Sequence, residues 1–294
     1  MDRFESMSVF VAVAATGSFS AASRQLRMPL PTVSRKVSDL EAHLEAKLFV
    51  RSTRKLTLTD TGQSYLLACR KVLEEIEEAE RSASGQYNAP QGEFVLTAPI
   101  VFGRLHVLPI VTEFLKAQPR VDVRLILADR TLNLVEDHLD LAVRIGSLPD
   151  SSLVATQIGR TRHVVCANPA YLKEHGTPRS PADLTATACV TFAGLGEADL
   201  WHFKALPPIR VHSRLEVNTA EGAVEAAIAG VGFTRVLSYQ AAEALSTGKL
   251  VAVLKKFEPE PLPINLIYVQ ERRLTAKLRA FLDFATPRLR ERLR

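Results

Sequence analysis

The chain has 294 residues, of which 47% are hydrophobic and 23% charged, an ordinary globular composition that excludes a disordered protein. No basic start leads into an apolar run, and no stretch approaches the roughly 20 apolar residues that cross a bilayer, so we expect a cytoplasmic protein without a membrane partner. Three cysteines, an odd number without CxxC spacing, disfavour a disulfide framework or a zinc site and leave a redox sensor without local support.

The first sixty residues are predicted to form three short helices. The first ends at Thr16-Gly17, the second runs from Ser20 to Leu26 with Ser18 as its cap, and the third begins at Pro31. The third helix carries an apolar stripe and leaves a polar, basic face at its start. The stripe contains Val33, Val37, Leu40 and Leu44, and the polar face contains Thr32, Ser34, Arg35 and Lys36. Two helices joined by a tight turn predict a helix-turn-helix.

A small hairpin is predicted next. Residues 48–50 and 56–58 are short apolar strands that flank the basic turn 51–55, as in the wing of a winged helix. Residues 20–58 hold eight basic and three acidic side chains, so their net charge equals the +5 of the whole chain. A compact basic segment of this kind is typical of nucleic-acid binding, although by itself it is weak support.

A long helix capped by Thr59 is predicted up to about Ala83. Its apolar positions repeat with a period near 3.5 residues, which favours packing against the same helix of a second subunit. The predicted dimerisation residues are Tyr65, Cys69, Val72, Ile76 and Ala79. The alternative is that this seam packs on its own domain. Residues 84–92 have the Gly, Pro, Asn and Ser content of a linker.

Strands and helices alternate from residue 93 onward, which predicts an α/β fold with a parallel sheet covered by helices. The first set comprises strands 94–97, 121–127 and 139–143, with helices at 105–118, starting near Gly103, and at 132–137. The second set comprises strands 163–166 and 210–217, helices 169–175 and 220–229, an apolar strand at 264–270 and a terminal helix at about 275–284.

These residues resemble the LysR-type transcriptional regulator family over nearly the whole chain. The N-terminal match includes Phe10, Ala14, Gly17-Ser18-Phe19-Ser20-Ala21-Ala22, Leu26, Thr32-Val33-Ser34, Leu40-Glu41, Leu48-Phe49, Arg51, Leu58-Thr59 and Gly62. The later match includes Leu108-Pro109, Phe114, Pro119, Asp140-Leu141-Ala142, Arg144-Ile145-Gly146, Ala229-Gly230-Val231-Gly232 and Gly248-Lys249-Leu250. Two departures are Glu45, where the family usually has glycine and a positive φ is expected, and Pro29, where it commonly has a capping serine.

The resemblance implies three regions. They are a winged helix-turn-helix DNA-binding domain at 1–59, a linker and dimerisation helix with a hinge at 60–91, and an effector-binding domain at 92–294. The last region resembles periplasmic binding proteins, with subdomain I at about 92–161 plus 267–294 and subdomain II at about 162–266. The family further implies a homodimer or homotetramer on promoter DNA, a small-molecule effector and contact with RNA polymerase.

The predicted DNA contacts follow from the geometry of a helix-turn-helix, whose second helix enters the major groove. Arg35 is the candidate for base reading, since a guanidinium bonds guanine O6 and N7 together. Ser18 and Ser34 suit phosphates, Thr32 and Lys36 share the exposed face, and the wing residues Arg51 and Arg54 suit the backbone or minor groove. The alternative is that these are solvated surface groups.

Effector contacts are expected at the carboxyl ends of strands, where open α/β sheets bind ligands. The candidates are Thr97, Pro99, Ile100, Asp129, Arg144, Thr191, Phe192, Asn218 and Thr219. Pro99 stands where the family often has a hydroxyl that holds a carboxylate, which weakens a carboxylate effector by analogy. Residues 98–102 make the cleft mouth apolar and favour an effector with an apolar or aromatic body. Arg144 has a structural ion pair as its alternative.

Two other classes of function were considered. An enzyme has little support because the sequence has no HExxH, GxSxG or Walker motif and no GxGxxG after a strand, so no catalytic residue, cofactor or metal is predicted. The other alternative is a small-molecule binding protein whose N-terminal helices serve only oligomerisation. The basic turn 51–55 and the exposed pair Arg35-Lys36 disfavour it.

Overall fold

A computed structural model describes residues 2–51, 56–83, 89–148, 153–192, 197–270 and 274–293. The chain divides into two compact units, Met1–Ala89 and Pro90–Arg294. Within the described residues, no helix is both long and apolar enough to span a bilayer.

The first unit has the predicted order of helices and hairpin. It consists of α1 Arg3–Thr16, α2 Phe19–Leu26, α3 Leu30–His43, the antiparallel strands β1 Phe49–Arg51 and β2 Leu56–Leu58, and α4 Asp60–Ala83. The side chains of Ser18 and Thr59 accept hydrogen bonds from Ala21 N and Gly62 N, which confirms both predicted caps. Helix α3 begins one residue earlier than predicted, and Pro29 at its N-cap makes no side-chain cap.

A buried carboxylate attaches the hairpin to α3. Glu41 is 4% exposed, and its Oε1 accepts hydrogen bonds from the backbone N–H groups of Leu48 (2.9 Å) and Phe49 (3.3 Å). Its Oε2 lies 3.0 Å from Lys47 Nζ. Burial alone would raise the pKa of Glu41, but these hydrogen bonds outweigh it and lower the pKa. The apolar core beside it joins α1, α3 and the start of α4 through Phe10, Leu40 and Cys69.

The second unit contains two five-stranded sheets. Sheet I has the order β4-β3-β5-β14-β6 and sheet II the order β11-β8-β12-β7-β13. The strands of sheet I are β3 Gly92–Ala98, β4 Val121–Leu127, β5 Leu141–Ile145, β6 Leu153–Thr161 and β14 Leu262–Val269. The strands of sheet II are β7 His163–Ala167, β8 Ala188–Phe192, β11 His212–Val217, β12 Phe233–Leu237 and β13 Val251–Val253, and β9 Leu200–Trp201 pairs with β10 Ile209–Arg210 outside it.

Helices and helical turns cover these sheets. The α-helices are α5 Ile100–Phe102, α6 Leu108–Ala117, α7 Pro169–His175, α8 Ala220–Ile228, α9 Ala242–Ser246 and α10 Ala276–Arg292. A π-helical turn, Gly103–Val107, joins α5 to α6. The chain passes from sheet I to sheet II after β6 and returns before β14, which confirms the predicted two-subdomain architecture.

Several details of the predicted α/β region are wrong. Both sheets are mixed rather than parallel, because β14 is antiparallel to β5 and β6, and β7 is antiparallel to β12 and β13. Residues 132–137 form turns instead of a helix, since the side chains of Asn133 and Asp137 accept local backbone hydrogen bonds that compete with one. Strand β6 was not predicted, and the predicted strand at 139–143 lies at 141–145.

Three boundaries also shift. The first helical segment of the unit begins at Ile100 rather than near Gly103, and the terminal helix continues to Arg292. Strand β14 starts at Leu262 and belongs to sheet I, so the return to subdomain I precedes the predicted boundary at 266/267. The backbone approaches closely at Gly232, where a Cβ would lie 2.2 Å from Ala188 O.

Candidate DNA-binding surface and effector cleft

Helix α3 presents Arg35 to solvent. Arg35 is exposed, and among the described residues it makes no side-chain hydrogen bond or ion pair. Thr32 and Ser34, on the same turn, are half-buried. Ser18 is half-buried too, and its Oγ accepts from Ala21 N at 3.3 Å, which leaves its hydroxyl hydrogen free to donate.

Lys36 differs from Arg35 in having a partner inside its own domain. Its Nζ lies 2.6 Å from Glu5 Oε2 on α1, and its side chain is only 17% exposed. The prediction that Lys36 is exposed is therefore wrong, because α1 covers much of its side chain and brings a carboxylate to it. The sequence carried no sign of this pair, whose members lie 31 residues apart.

One of the two departures from the family pattern, Glu45, has the backbone geometry that was expected of it. Glu45, just after α3, has a φ of 51°, as expected for a residue in the place of a C-terminal glycine.

The structure describes the wing only in part. The backbone of Arg51 pairs with Leu56 in the hairpin, but the side chain of Arg51 and all of Arg54 lie outside the described residues.

The seam on α4 divides into two parts. Cys69 is 1% exposed and Tyr65 packs 5.7 Å from the Phe10 ring, so both belong to the core of their own domain. The prediction that Cys69 lines a dimer interface is wrong, because no surface of it remains for a partner. Farther along, Val72 is 37% exposed, Ile76 half-buried and Ala79 exposed.

A cleft opens in the second unit between residues of sheets I and II. Its volume is about 490 Å³. Five of the nine predicted effector residues line it, namely Thr97, Pro99, Asp129, Arg144 and Phe192. The Ile100 N–H donates to Asp129 Oδ1 at 3.0 Å and thereby fixes that carboxylate at the start of α5.

The other predicted effector residues have local structural contacts instead. Thr191 is 1% exposed and its hydroxyl lies 2.6 Å from Ser213 Oγ. Thr219 caps α8 by accepting from Gly222 N at 3.2 Å, and Asn218 is exposed on the strand-to-helix turn before it. None of the three is among the described residues that line the cleft.

Arg144 is committed to the backbone. Its Nη2 donates to the carbonyl oxygen of Leu132, and burial lowers its pKa. Among the described residues the partner of Arg144 is this carbonyl, and no ion pair of Arg144 occurs there. Arg144 instead holds the turn at 132–137 against β5.

Sequence reasoning missed the basic and aromatic residues that subdomain II contributes to the cleft. These are His163, Trp201, His202, Arg235 and Tyr239. Arg235 was detectable as the one charged residue in the strand sequence Phe-Thr-Arg-Val-Leu at 233–237. His163 and Trp201 carried no comparable sign, because strand pairing alone brings them to the site.

Burial shapes the electrostatics of the cleft. It lowers the pKa of Arg235 to about 10, and it lowers the pKa of His163 to about 4 with help from the positive charges of Arg235 and His202. It raises the pKa of Asp129, whose Oδ2 is buried and accepts no hydrogen bond from the described residues. Arg104 Nη2 and Glu221 Oε1, 3.7 Å apart, connect the two subdomains.

The three thiols are inert by the same reasoning. Cys69, Cys166 and Cys189 are buried and unbridged. Burial raises their pKa values to about 11, 12 and 12 respectively, which disfavours the thiolate that redox chemistry requires.

Comparison with known proteins assigns the family. Residues 4–63 match the model of the bacterial regulatory helix-turn-helix protein, lysR family, and residues 88–290 match the LysR substrate binding domain. The chain belongs to the LysR family of transcriptional regulators. This excludes the reading in which the N-terminal helices serve only oligomerisation, and the relatives of this LysR-type protein are regulators rather than enzymes.

Individual relatives match nearly the whole length of this chain. A probable HTH-type transcriptional regulator, LtrA of Klebsiella pneumoniae, is 33% identical over 95% of this chain and 92% of its own. The HTH-type transcriptional activator AaeR of Escherichia coli is 30% identical, covering 97% and 94%. The solved structure of CrgA, a LysR-type regulator from Neisseria meningitidis, superposes with a TM-score of 0.62 at 30% identity, covering 97% and 98%.

Proposed function

We propose that this LysR-type regulator binds promoter DNA as a dimer or tetramer through α3 and the hairpin, and that an effector in the cleft changes that binding. The observation that supports the DNA surface best is Arg35, exposed at the start of α3 and without a described partner. A free guanidinium at this position suits bidentate bonding to guanine, whereas Lys36 already neutralises Glu5. Ser18 and Ser34 are the proposed phosphate contacts, Thr32 and Lys36 belong to the same proposed DNA-facing surface, and Arg51 and Arg54 are the proposed contacts of the wing.

The proposed dimer uses the distal part of α4. Val72, Ile76 and Ala79 continue the spacing of Tyr65 and Cys69 but lie beyond the core of the first unit. A second copy of the helix would remove these apolar groups from water. Two DNA-binding units would also neutralise more phosphates than one, which supports specific binding at physiological salt.

The proposed regulation is a population shift. The cleft receives residues from both subdomains, so an effector that prefers one separation of the sheets would stabilise that conformation. Membership of the family supports a contact with RNA polymerase once the regulator is bound to DNA. It also supports a location in the cytoplasm, where the promoter DNA lies.

The first test is fluorescence anisotropy with DNA from upstream of the protein's own gene and of the neighbouring gene. Arg35→Ala should weaken specific binding by about 10- to 100-fold. Arg214→Ala, at an exposed position in the other unit, is the matched control and should leave binding unchanged. Equal binding of upstream and unrelated DNA by the parent protein, or no effect of Arg35→Ala, would refute the proposed base reading.

A further inference from the structure

We propose that the effector is a small aromatic carboxylate whose negative charge pairs with Arg235. This inference rests on the proposed function, in which the cleft is the effector site. It names the chemical class of the ligand and the residue that recognises it.

Arg235 is a half-buried cation with no counterion among the described residues. It lies on β12 opposite Val165, on the sheet face that also bears Leu237 and, opposite Leu237, His163. Among the described residues no carboxylate or carbonyl group bonds the guanidinium, and burial is the sole cause of its lowered pKa. Buried charges in proteins are normally paired, so an isolated guanidinium facing a cavity indicates a missing anion.

The surroundings of Arg235 reinforce the preference for negative charge. His163 lines the same cleft, and the positive charge of Arg235 helps burial to lower its pKa. Glu197 also lines the cleft, but its carboxylate lies 2.8 Å from Arg210 Nη2 and is already paired. Asp129, the other acid of the described lining, belongs to subdomain I and does not contribute to the pKa of Arg235.

The walls fit an aromatic body. Trp201 is 2% exposed and its indole Nε1 donates to Ala198 O at 3.1 Å, so its ring packs in the core of subdomain II behind the cleft. Phe192 and Tyr239 line the same cavity, and about 490 Å³ is within the usual range for a small-molecule site. An aromatic ring would therefore meet rigid aromatic walls on its way to the guanidinium.

The sequence disfavoured a carboxylate effector because Pro99 stands where the family often has a hydroxyl. The structure explains why that analogy is incomplete. Pro99 removes the hydroxyl from the start of α5, but the cation that would replace it lies on the other sheet, more than 130 residues later in the chain. The predicted aromatic body and the disfavoured carboxylate are thus compatible in one molecule.

The test uses acid and amide pairs of equal shape, because the amide keeps the ring and loses the charge. Isothermal titration of the full-length protein would compare benzoate with benzamide, 4-hydroxybenzoate with its amide, and phenylacetate with its amide. At least one acid should bind about 10- to 100-fold more tightly than its amide, the gain typical of a charge-assisted hydrogen bond. Arg235→Met should abolish that preference, and Arg214→Met, at an exposed position outside the cleft, should preserve it.

The Tm of the effector-free protein shows whether Arg235→Met is folded. Arg235→Met keeps much of the side-chain volume and removes an unpaired charge, so the Tm of the effector-free protein should be unchanged or rise by about 2–4 °C. A fall of that size would reveal a structural partner of Arg235 and overturn the inference.

The outcomes separate this inference from the proposed function. If amides bind as tightly as acids and Phe192→Ala weakens both, the cleft is the effector site but its preference for an anion is refuted. If a probe alters DNA binding and neither Arg235→Met nor Phe192→Ala changes its affinity, the cleft itself is refuted and both proposals fail.

Discussion

The exposed charge on α3 and the buried charge in the cleft represent two ways of preparing a protein for a negatively charged partner. Arg35 is solvated, so it costs little stability to keep and is available to a polyanion that approaches from water. Arg235 is largely removed from water and lacks a described partner, so it lowers stability until a ligand reaches it. An exposed cation therefore indicates salt-dependent binding to a large polyanion. A cation that is shielded from water and unpaired indicates a small ligand enclosed by the protein.

The two regions also differ in how their frameworks are supported. In the first unit one carboxylate, Glu41, satisfies two backbone N–H groups at the base of the hairpin. In the cleft, His163 Nδ1 and Asp129 Oδ2 are buried without hydrogen-bond partners among the described residues. A satisfied buried group stabilises a fixed geometry, whereas an unsatisfied one lowers stability.

The largest expected effect is the loss of that satisfied carboxylate. Glu41→Ala leaves the N–H groups of Leu48 and Phe49 buried without an acceptor, so we expect the first unit to lose about 4 kcal/mol of unfolding free energy. Denaturant unfolding followed by DNA binding for the first unit, and by Trp201 fluorescence for the second, would measure the effect.

Asp39→Ala is the control, since Asp39 is exposed on the same helix. It should change stability by less than about 0.5 kcal/mol. Equal destabilisation by the two substitutions would show that Glu41 does not support the hairpin in this way.

The pH dependence of the second unit should be dominated in one window by His163. Its folded pKa of about 4 lies below the ordinary value of 6.5, so between these values the unfolded chain binds a proton that the folded chain does not. Stability therefore falls as pH drops from 6.5 towards 4, by at most about 3 kcal/mol from this group. Burial is the main cause of this lowered pKa, and the charges of Arg235 and His202 add to it.

Replacing His163 by glutamine should flatten this window. Thermal unfolding at pH 7 and pH 4.5, followed by Trp201 fluorescence, would give a smaller difference for His163→Gln than for the parent protein. His212→Gln is the matched control because His212 is exposed. An unchanged pH response in His163→Gln would mean that folding does not lower the pKa of His163, which would refute this explanation.

The same two regions explain how much the sequence could predict. Helix-turn-helix elements, the hairpin and the caps Ser18 and Thr59 follow from local spacing, whereas the positive φ of Glu45 was implied by the family resemblance. The pair Lys36–Glu5 was not, because it depends on how two helices cross.

The cleft was predicted only in part for the same reason. Thr97, Pro99 and Asp129 follow strands β3 and β4, which pair in parallel next to one another, so the rule about carboxyl ends of strands finds them. Arg235 and His163 meet because β12 and β7 pair antiparallel, across about 70 residues of intervening chain. Spacing along the sequence contains no information about that pairing.

A smaller effect is expected at the turn after α3. Glu45 has a φ of 51°, a conformation that glycine adopts without steric cost. Glu45→Gly should therefore stabilise the first unit by about 1 kcal/mol, whereas Glu45→Ala, which keeps a Cβ, should not. Denaturant midpoints of the three proteins would decide it, and equal midpoints for the glycine and alanine variants would show that backbone strain is absent.

The smallest expected effect is a change in DNA affinity after Lys36 loses its ion-pair partner. Glu5→Gln removes the carboxylate that lies 2.6 Å from Lys36 Nζ, so Lys36 becomes available to phosphate. Because an ion pair of this kind contributes about 0.5 kcal/mol, DNA affinity should rise about two-fold, and the slope of log affinity against log salt should steepen by about 1. Asp2→Asn, which removes a charge near the same end of α1, would test whether net charge alone is responsible. If both variants steepen the slope equally, Lys36 is not the added contact; if Glu5→Gln alone does, α1 restrains how many cations α3 offers to DNA.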